Sequence, residues 1–143
     1  ITSGGTVAKL EFNLINDETI NILGQNFIPL NVNHGDNYFA NGYRIDNFTY
    51  ISDCSYIPMD TMKKIKGSEI IVLDALRRGR KHKSHLTLEE SIEIILDLKP
   101  KVALFTDACH DIDHNEANEF LEIVSEKSNI KMQMAYDGLS LKI

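Results

Sequence analysis

Apolar and polar positions along this 143-residue chain change period part-way through, and the change divides it into a strand-rich first third and an alternating strand–helix remainder. Short runs enriched in Val, Ile, Phe and Tyr come first. Val7 to Ile15 and Thr19 to Leu23 predict a hairpin around Asn16-Asp17, followed by a strand from Gln25 to Val32. Tyr38 to Ile45 and Phe48 to Ser52 predict a second hairpin turning at Asp46-Asn47. A short helix fits Met59 to Ile65, after Pro58 and before Gly67. Glu69 to Leu73 is a continuous apolar run, the pattern of a central strand covered on both faces.

The period then becomes helical. Thr87 with Glu90 three residues on predicts a capping box, and Leu88, Ile92, Ile95 and Leu96 recur as one apolar stripe up to Pro100. Lys101 to Thr106 predicts a strand. Asp113 and Glu116 then open a helix whose apolar face is Ala117, Phe120, Leu121 and Val124. Lys131 to Ala135 and Leu139 to Ile143 flank Asp137-Gly138, a strong hairpin signal. The pattern is that of one layered α/β unit. Helices Leu88 to Leu98 and Asn115 to Ser128, each apolar on one side only, are expected on one face of the sheet.

Composition narrows the function classes. The length suits a single domain, and a net charge of −6 argues against a general nucleic-acid or anionic-membrane binder. One basic island, Arg77 to Lys83, could hold phosphate or be a solvated loop. Cys54 and Cys109 are too few for a disulfide framework; buried thiols are the default, with metal or redox roles the alternatives. No apolar run is long enough to span a bilayer, which predicts a cytoplasmic protein. The chain begins at Ile1, which raises the expectation of a fragment.

The candidate chemistry lies at the ends of the predicted strands. His34 follows Val32-Asn33, Asp53 follows Ile51-Ser52, Asp74 follows Leu73, and Asp107 follows Phe105-Thr106. Taken singly, each has an ordinary role: His34, Asp53 and Asp107 as turn or cap residues, Asp74 as a salt-bridge partner of Arg77 or Arg78. His82 and His85 read as an exposed basic loop, and Asp113 and His114 as the start of the last helix. Parallel strands in one sheet would bring these ends to one edge, where open α/β sheets bind ligands and where imidazoles and carboxylates could converge on a divalent metal.

Six stretches carry a family resemblance: Pro29 to Gly35, Gly42 to Ile45, Tyr50 to Pro58, Ile71 to Arg77, His82 to Glu90 and Ala135 to Leu139. In this order they resemble the C-terminal half of a metallo-β-lactamase-fold hydrolase, most similar to the phosphoribosyl cyclic phosphodiesterases and more distantly to the tRNA 3′-processing endonucleases. The resemblance implies an αββα sandwich of which residues 1–143 form half, a mixed sheet with helices on one face. It implies two divalent ions, zinc or manganese, with His34 a ligand of one and Asp53 bridging both. His85 would assist proton transfer or contact the scissile phosphate. The family's pattern has Thr-His where this chain has Thr106-Asp107, so Asp107 would stand in for an imidazole, with His110 the alternative ligand. The family's His-x-His-x-Asp-His motif belongs to the other half, and none of these residues resembles it. The expected partners are therefore that N-terminal half, a phosphate-containing small molecule or nucleotide, and a homodimer mate if the second sheet face stays uncovered. Two other classes remain open: a catalytically degenerate binding module, and a plain structural domain.

Overall fold

The computed structural model describes residues 9–141. Seven strands form one sheet in chain order: β1 (Ile20–Ile22), β2 (Gln25–Asn33), β3 (Phe39–Ile45), β4 (Phe48–Ile51), β5 (Ile70–Asp74), β6 (Val102–Thr106) and β7 (Lys131–Met134). The first four pair antiparallel and the last four parallel. Since β2 and β4 each run opposite to β3, β2, β4, β5, β6 and β7 all point the same way. The helices are α1 (Met59–Ile65), between β4 and β5, α2 (Leu88–Leu98), between β5 and β6, and α3 (His114–Ser128), between β6 and β7.

All three helices contribute to one core. Ile51, Leu73, Phe105 and Met134 lie in register across β4 to β7, with Ile71, Ala103 and Met132 one step back on the same face. They pack with Ile65 of α1, Leu88, Ile92 and Ile95 of α2, and Ala117 and Leu121 of α3 in a single buried cluster. Gly42 lies directly over this layer. A Cβ there would sit 2.5 Å from Ile51 Cγ1 and 2.8 Å from the Tyr50 carbonyl, so only glycine lets β3 approach β4 this closely. On the opposite face, Tyr43, Tyr50, Val72, Leu104 and Gln133 form a row, beside Phe48, Ile70 and Val102. Tyr50 is exposed and Tyr43, Phe48, Ile70 and Val102 are half-buried, so this second face is largely apolar as well.

The capping signals act as expected. Thr87 accepts from the Glu90 N–H at 3.2 Å while Glu90 accepts from the Thr87 N–H at 3.0 Å, and the helix closes on left-handed Lys99 before Pro100. Asp113 accepts from the N–H groups of Asn115 and Glu116, at 2.9 and 3.0 Å.

Both terminal hairpins differ from expectation. Residues 9–15 form no strand, Val7 lies outside the described residues, and β1 pairs instead with β2. The turn is Leu23-Gly24, both at positive φ, with Asn21 accepting from the Gly24 N–H; two such residues suit the twist of a two-residue hairpin better than Asn16-Asp17 does. At the other end the Asp137-Gly138 turn forms, yet residues 139–141 do not return as a strand, and the last two residues lie outside the description. The outward N–H groups of Met132 and Met134 already donate to Ser125 Oγ and Asn118 Oδ1 of α3, at 3.0 and 2.8 Å. The edge a returning strand would need is occupied by helix side chains.

Candidate metal centre

The common direction of β2, β4, β5 and β6 brings His34, Asp53, Asp74 and Asp107 to one sheet edge. Each follows or ends a strand, and two of the turns use left-handed backbone, at Asp53 (φ 47°) and Asp107 (φ 62°), a conformation that aspartate tolerates better than most residues. The turns are tied together. Asn33 N–H donates to the Tyr56 carbonyl, Ser55 N–H to the Asn33 carbonyl, and Gly35 N–H to Ser55 Oγ, which locks the His34 turn onto the turn that carries Asp53. Asp107 Oδ2 accepts from the Asp53 N–H at 3.2 Å.

The fourth element is the loop between β5 and α2, which brings in His85. Its Nδ1 lies 2.9 Å from Asp74 Oδ2, and the same oxygen accepts from the Cys54 N–H at 2.8 Å. Ser91 Oγ donates to the Asp74 carbonyl, fixing α2 to the end of β5. Asp74 is fully buried, and burial pushes its carboxyl up to about 6, with the Cys54 N–H and His85 pulling the other way. Its Oδ1 has no hydrogen-bond partner among the described residues. Asp74 therefore does not form the expected surface salt bridge with Arg77 or Arg78; it is the residue that orients His85. The sequence signal for this role was its place at the end of the most buried strand.

Hydrogen bonding fixes which nitrogen each imidazole presents. His34 Nδ1 lies 2.8 Å from the Ser84 carbonyl, which can only accept, so Nδ1 carries the hydrogen and Nε2 keeps its lone pair. Against the Asp74 carboxylate the same argument holds for His85. The two rings meet edge to face, 4.8 Å between centroids.

Two groups of metal-capable side chains result: His34 with Asp53 and His85, and Asp74 with His85 and Asp107, the ligand atoms of each group lying within 4.8 Å of one another. Ligand bonds of about 2.0–2.2 Å allow donor atoms on one ion to be at most about 4.4 Å apart, so small side-chain shifts would close either group. Mixed imidazole and carboxylate donors suit a first-row divalent ion. Of the residues predicted to share metals, His34 and Asp53 come together, and Asp107 joins through His85 and Asp74. His110 does not join either group. Its side chain is 93 % exposed and lies 3.3 Å from Asp111, because the turn from Ala108 to Asp113 runs out into solvent. Cys54 is fully buried and its thiol is pushed up to about 12, by burial and then by the Asp74 charge, so it is not a thiolate ligand.

Most of the basic island is committed to structure. Arg77 donates to the carbonyls of Arg80 and Lys81, Arg78 pairs with Glu89 and stacks on Phe120, and Lys81 pairs with Glu90.

Residues 7–107 match the beta-lactamase superfamily domain. The chain belongs to this family. Among solved structures it is similar to a diphosphatase from the PhnP family, at 37 % identity and a TM-score of 0.84 over 93 % of this chain and 49 % of that one. A metallo-beta-lactamase fold protein, YhfI from Bacillus subtilis, superposes with a TM-score of 0.72 at 14 % identity, over 88 % of this chain and 53 % of that one. Among curated proteins, an octanoyltransferase of Porphyromonas gingivalis (strain ATCC BAA-308 / W83) is 28 % identical over 112 residues, 78 % of this chain and 21 % of that protein. The chain thus spans about half the length of the solved family member and about a fifth of the curated relative. Its mixed sheet and three helices have the metallo-β-lactamase arrangement. Among the described residues no helix is long and apolar enough to cross a membrane.

Proposed function

We propose that residues 1–143 form the C-terminal half of a metal-dependent phosphodiester hydrolase whose binuclear site is completed by an N-terminal half. The observation that carries this reading is the convergence of His34, Asp53 and His85, with both imidazoles tied through Nδ1 so that Nε2 is left for a ligand or a proton. Two divalent ions, zinc or manganese, would supply a hydroxide at neutral pH and offset phosphoryl charge. Asp53 would bridge them, with His34 on one and Asp107 on the other. In hydrolysis the P–O bond to the water oxygen forms, the P–O bond to the leaving oxygen breaks, and the leaving oxygen takes a proton. His85, oriented by Asp74 through Nδ1, is placed to deliver that proton from Nε2.

The apolar row Tyr43, Tyr50, Val72 and Leu104 would pack against the N-terminal half, or against a second copy of the chain. The substrate would be a phosphate-containing small molecule or nucleotide, and a cytoplasmic setting suits the two free cysteines. A second reading, a degenerate binding module, draws on Asp107 standing where the family resemblance implies an imidazole.

The test is to assay the 143-residue chain and the complete protein side by side on a cyclic and a bis-aryl phosphodiester, with zinc or manganese added. Turnover by the complete protein only is the expected result. Robust turnover by the short chain would sink the half-site account, and inactivity of a complete protein holding two metals would favour the binding module.

A further inference from the structure

The basic island from Arg77 to Lys83 holds five of the chain's fifteen lysine and arginine side chains in seven positions, although the chain as a whole carries a net charge of −6. The fold sets this island beside the metal-capable edge. The Ser84 carbonyl accepts from His34 Nδ1–H at 2.8 Å, and the Lys83 carbonyl lies 3.9 Å from where a Cβ on Gly35 would be, so the backbone of Lys83 adjoins the His34 turn. His82 Nδ1 accepts from the Ser84 N–H at 3.4 Å, the reverse of the tautomer at His34 and His85, which ties the loop on either side of Lys83.

The five cations differ in how much of their charge is cancelled. Arg78 and Lys81 are neutralised in pairs with Glu89 and Glu90. Arg77 donates to two carbonyls, which braces the loop and leaves its charge uncancelled. Arg80 lies 3.9 Å from Asp111, at the limit of an ion pair, with its side chain 77 % exposed. Lys83 is exposed, and among the described residues its side chain has no hydrogen bond or ion pair. An unpaired, exposed lysine adds little to stability, so its place beside the His34 turn is not explained by the fold.

We infer that Lys83, together with Arg80, draws anionic substrates to the metal edge by long-range attraction, raising their concentration there without touching the reacting atoms. Asp53, Asp74 and Asp107 gather at this edge on an acidic chain, so a phosphate ester approaching from solvent meets like charge unless cations stand nearby. Attraction at a distance needs no fixed side-chain geometry, which suits an exposed lysine on a loop whose backbone is held. What the loop senses is the net charge of the incoming molecule, whichever chemical group carries it.

This inference rests on the phosphodiesterase reading, and its test separates the two. The complete, metal-loaded protein is compared with Lys83→Gln, Lys83→Glu and Lys83→Arg, and with Lys131→Glu, which makes the same charge change at the start of β7, at the opposite end of the sheet. The substrates are a bis-aryl phosphodiester with one negative charge and the same ester bearing a ring sulfonate, with two. At low salt Lys83→Gln should lower kcat/KM for the first ester by about threefold and Lys83→Glu by about tenfold, with larger losses on the sulfonated ester, since Coulomb energy scales with the product of the charges. Metal content and kcat should stay within about twofold of wild type, Lys83→Arg and Lys131→Glu should behave as wild type, and about 0.5 M salt should erase the differences. Losses that persist in high salt, that fall on kcat or metal content, or that Lys131→Glu shares would overturn the inference. If the wild type hydrolyses neither ester, the phosphodiesterase reading fails, and calorimetric titration with orthophosphate at low and high salt still decides the role of Lys83. A salt-sensitive rise in Kd in Lys83→Glu alone supports steering, and an unchanged Kd overturns it.

Discussion

Two regions of this molecule are rich in candidate ligands, and they end up doing different things. The turn from Asp107 to His114 packs five His or Asp side chains into eight positions, yet only Asp107 reaches the metal-capable groups. Asp113 is spent on the α3 cap, His110 and Asp111 pair with each other in solvent, and His114 lies 3.1 Å from Asn118 within the helix. His34, Asp53, Asp74 and His85 are scattered over half a hundred positions, and they converge. Parallel register gathers the strand ends, while local density brings together only residues that already satisfy one another.

The largest effect expected from this contrast is at the scattered residues. Asp53→Ala should reduce turnover of the complete protein to background and lower its bound metal, as among the described residues no other carboxylate shares a group with both His34 and His85. Retention of two metals and wild-type kcat would show that Asp53 is only a turn residue. His85→Ala should cost about 10²–10⁴-fold in kcat. Since His85 belongs to both metal-capable groups, metal analysis of this variant decides whether it is a ligand as well as a proton donor.

Asp74 sharpens the comparison through pH. Its carboxyl titrates near 6 in the fold against an ordinary value of 3.8, so the folded state holds the proton more tightly than the unfolded state does. Stability of the metal-free protein from this group is therefore greatest below about pH 4 and declines as pH rises through 6, by an amount on the order of 3 kcal/mol. Denaturant unfolding between pH 4 and 7 should show this decline in metal-free wild type, and a flatter profile in Asp74→Asn. The same variant should lose about 10–100-fold in metal affinity or activity, because His85 loses its charged partner.

The smallest effect belongs to the crowded turn. His110→Ala should leave metal content, kcat and melting temperature nearly unchanged, given a side chain that is almost wholly exposed and paired only with Asp111. A clear loss of metal in this variant would return His110 to the ligand set and undo the distinction between the two regions.

Local chemistry made much of the fold legible from the residues alone. Helix α1 runs from Met59 to Ile65 and α2 from Leu88 to Leu98 as their boundary residues predict, since a proline entry and a reciprocal Thr87–Glu90 cap act within a few residues of chain. The apolar run through Ile71 and Leu73 marked the central strand for the same reason. The candidates His34, Asp53 and Asp107 were legible from their positions after strands. Other features needed the packed chain. The first hairpin turns at Leu23-Gly24, and the last is blocked by Ser125 and Asn118, because strand pairing is won by whichever partner reaches the free edge. The orienting role of Asp74 depends on its burial beneath the Cys54 turn, and His110 is excluded by the course of its loop. The opposite tautomers of His82 and His85 are set by hydrogen-bond partners that differ only in three dimensions: a backbone N–H for one and a buried carboxylate for the other.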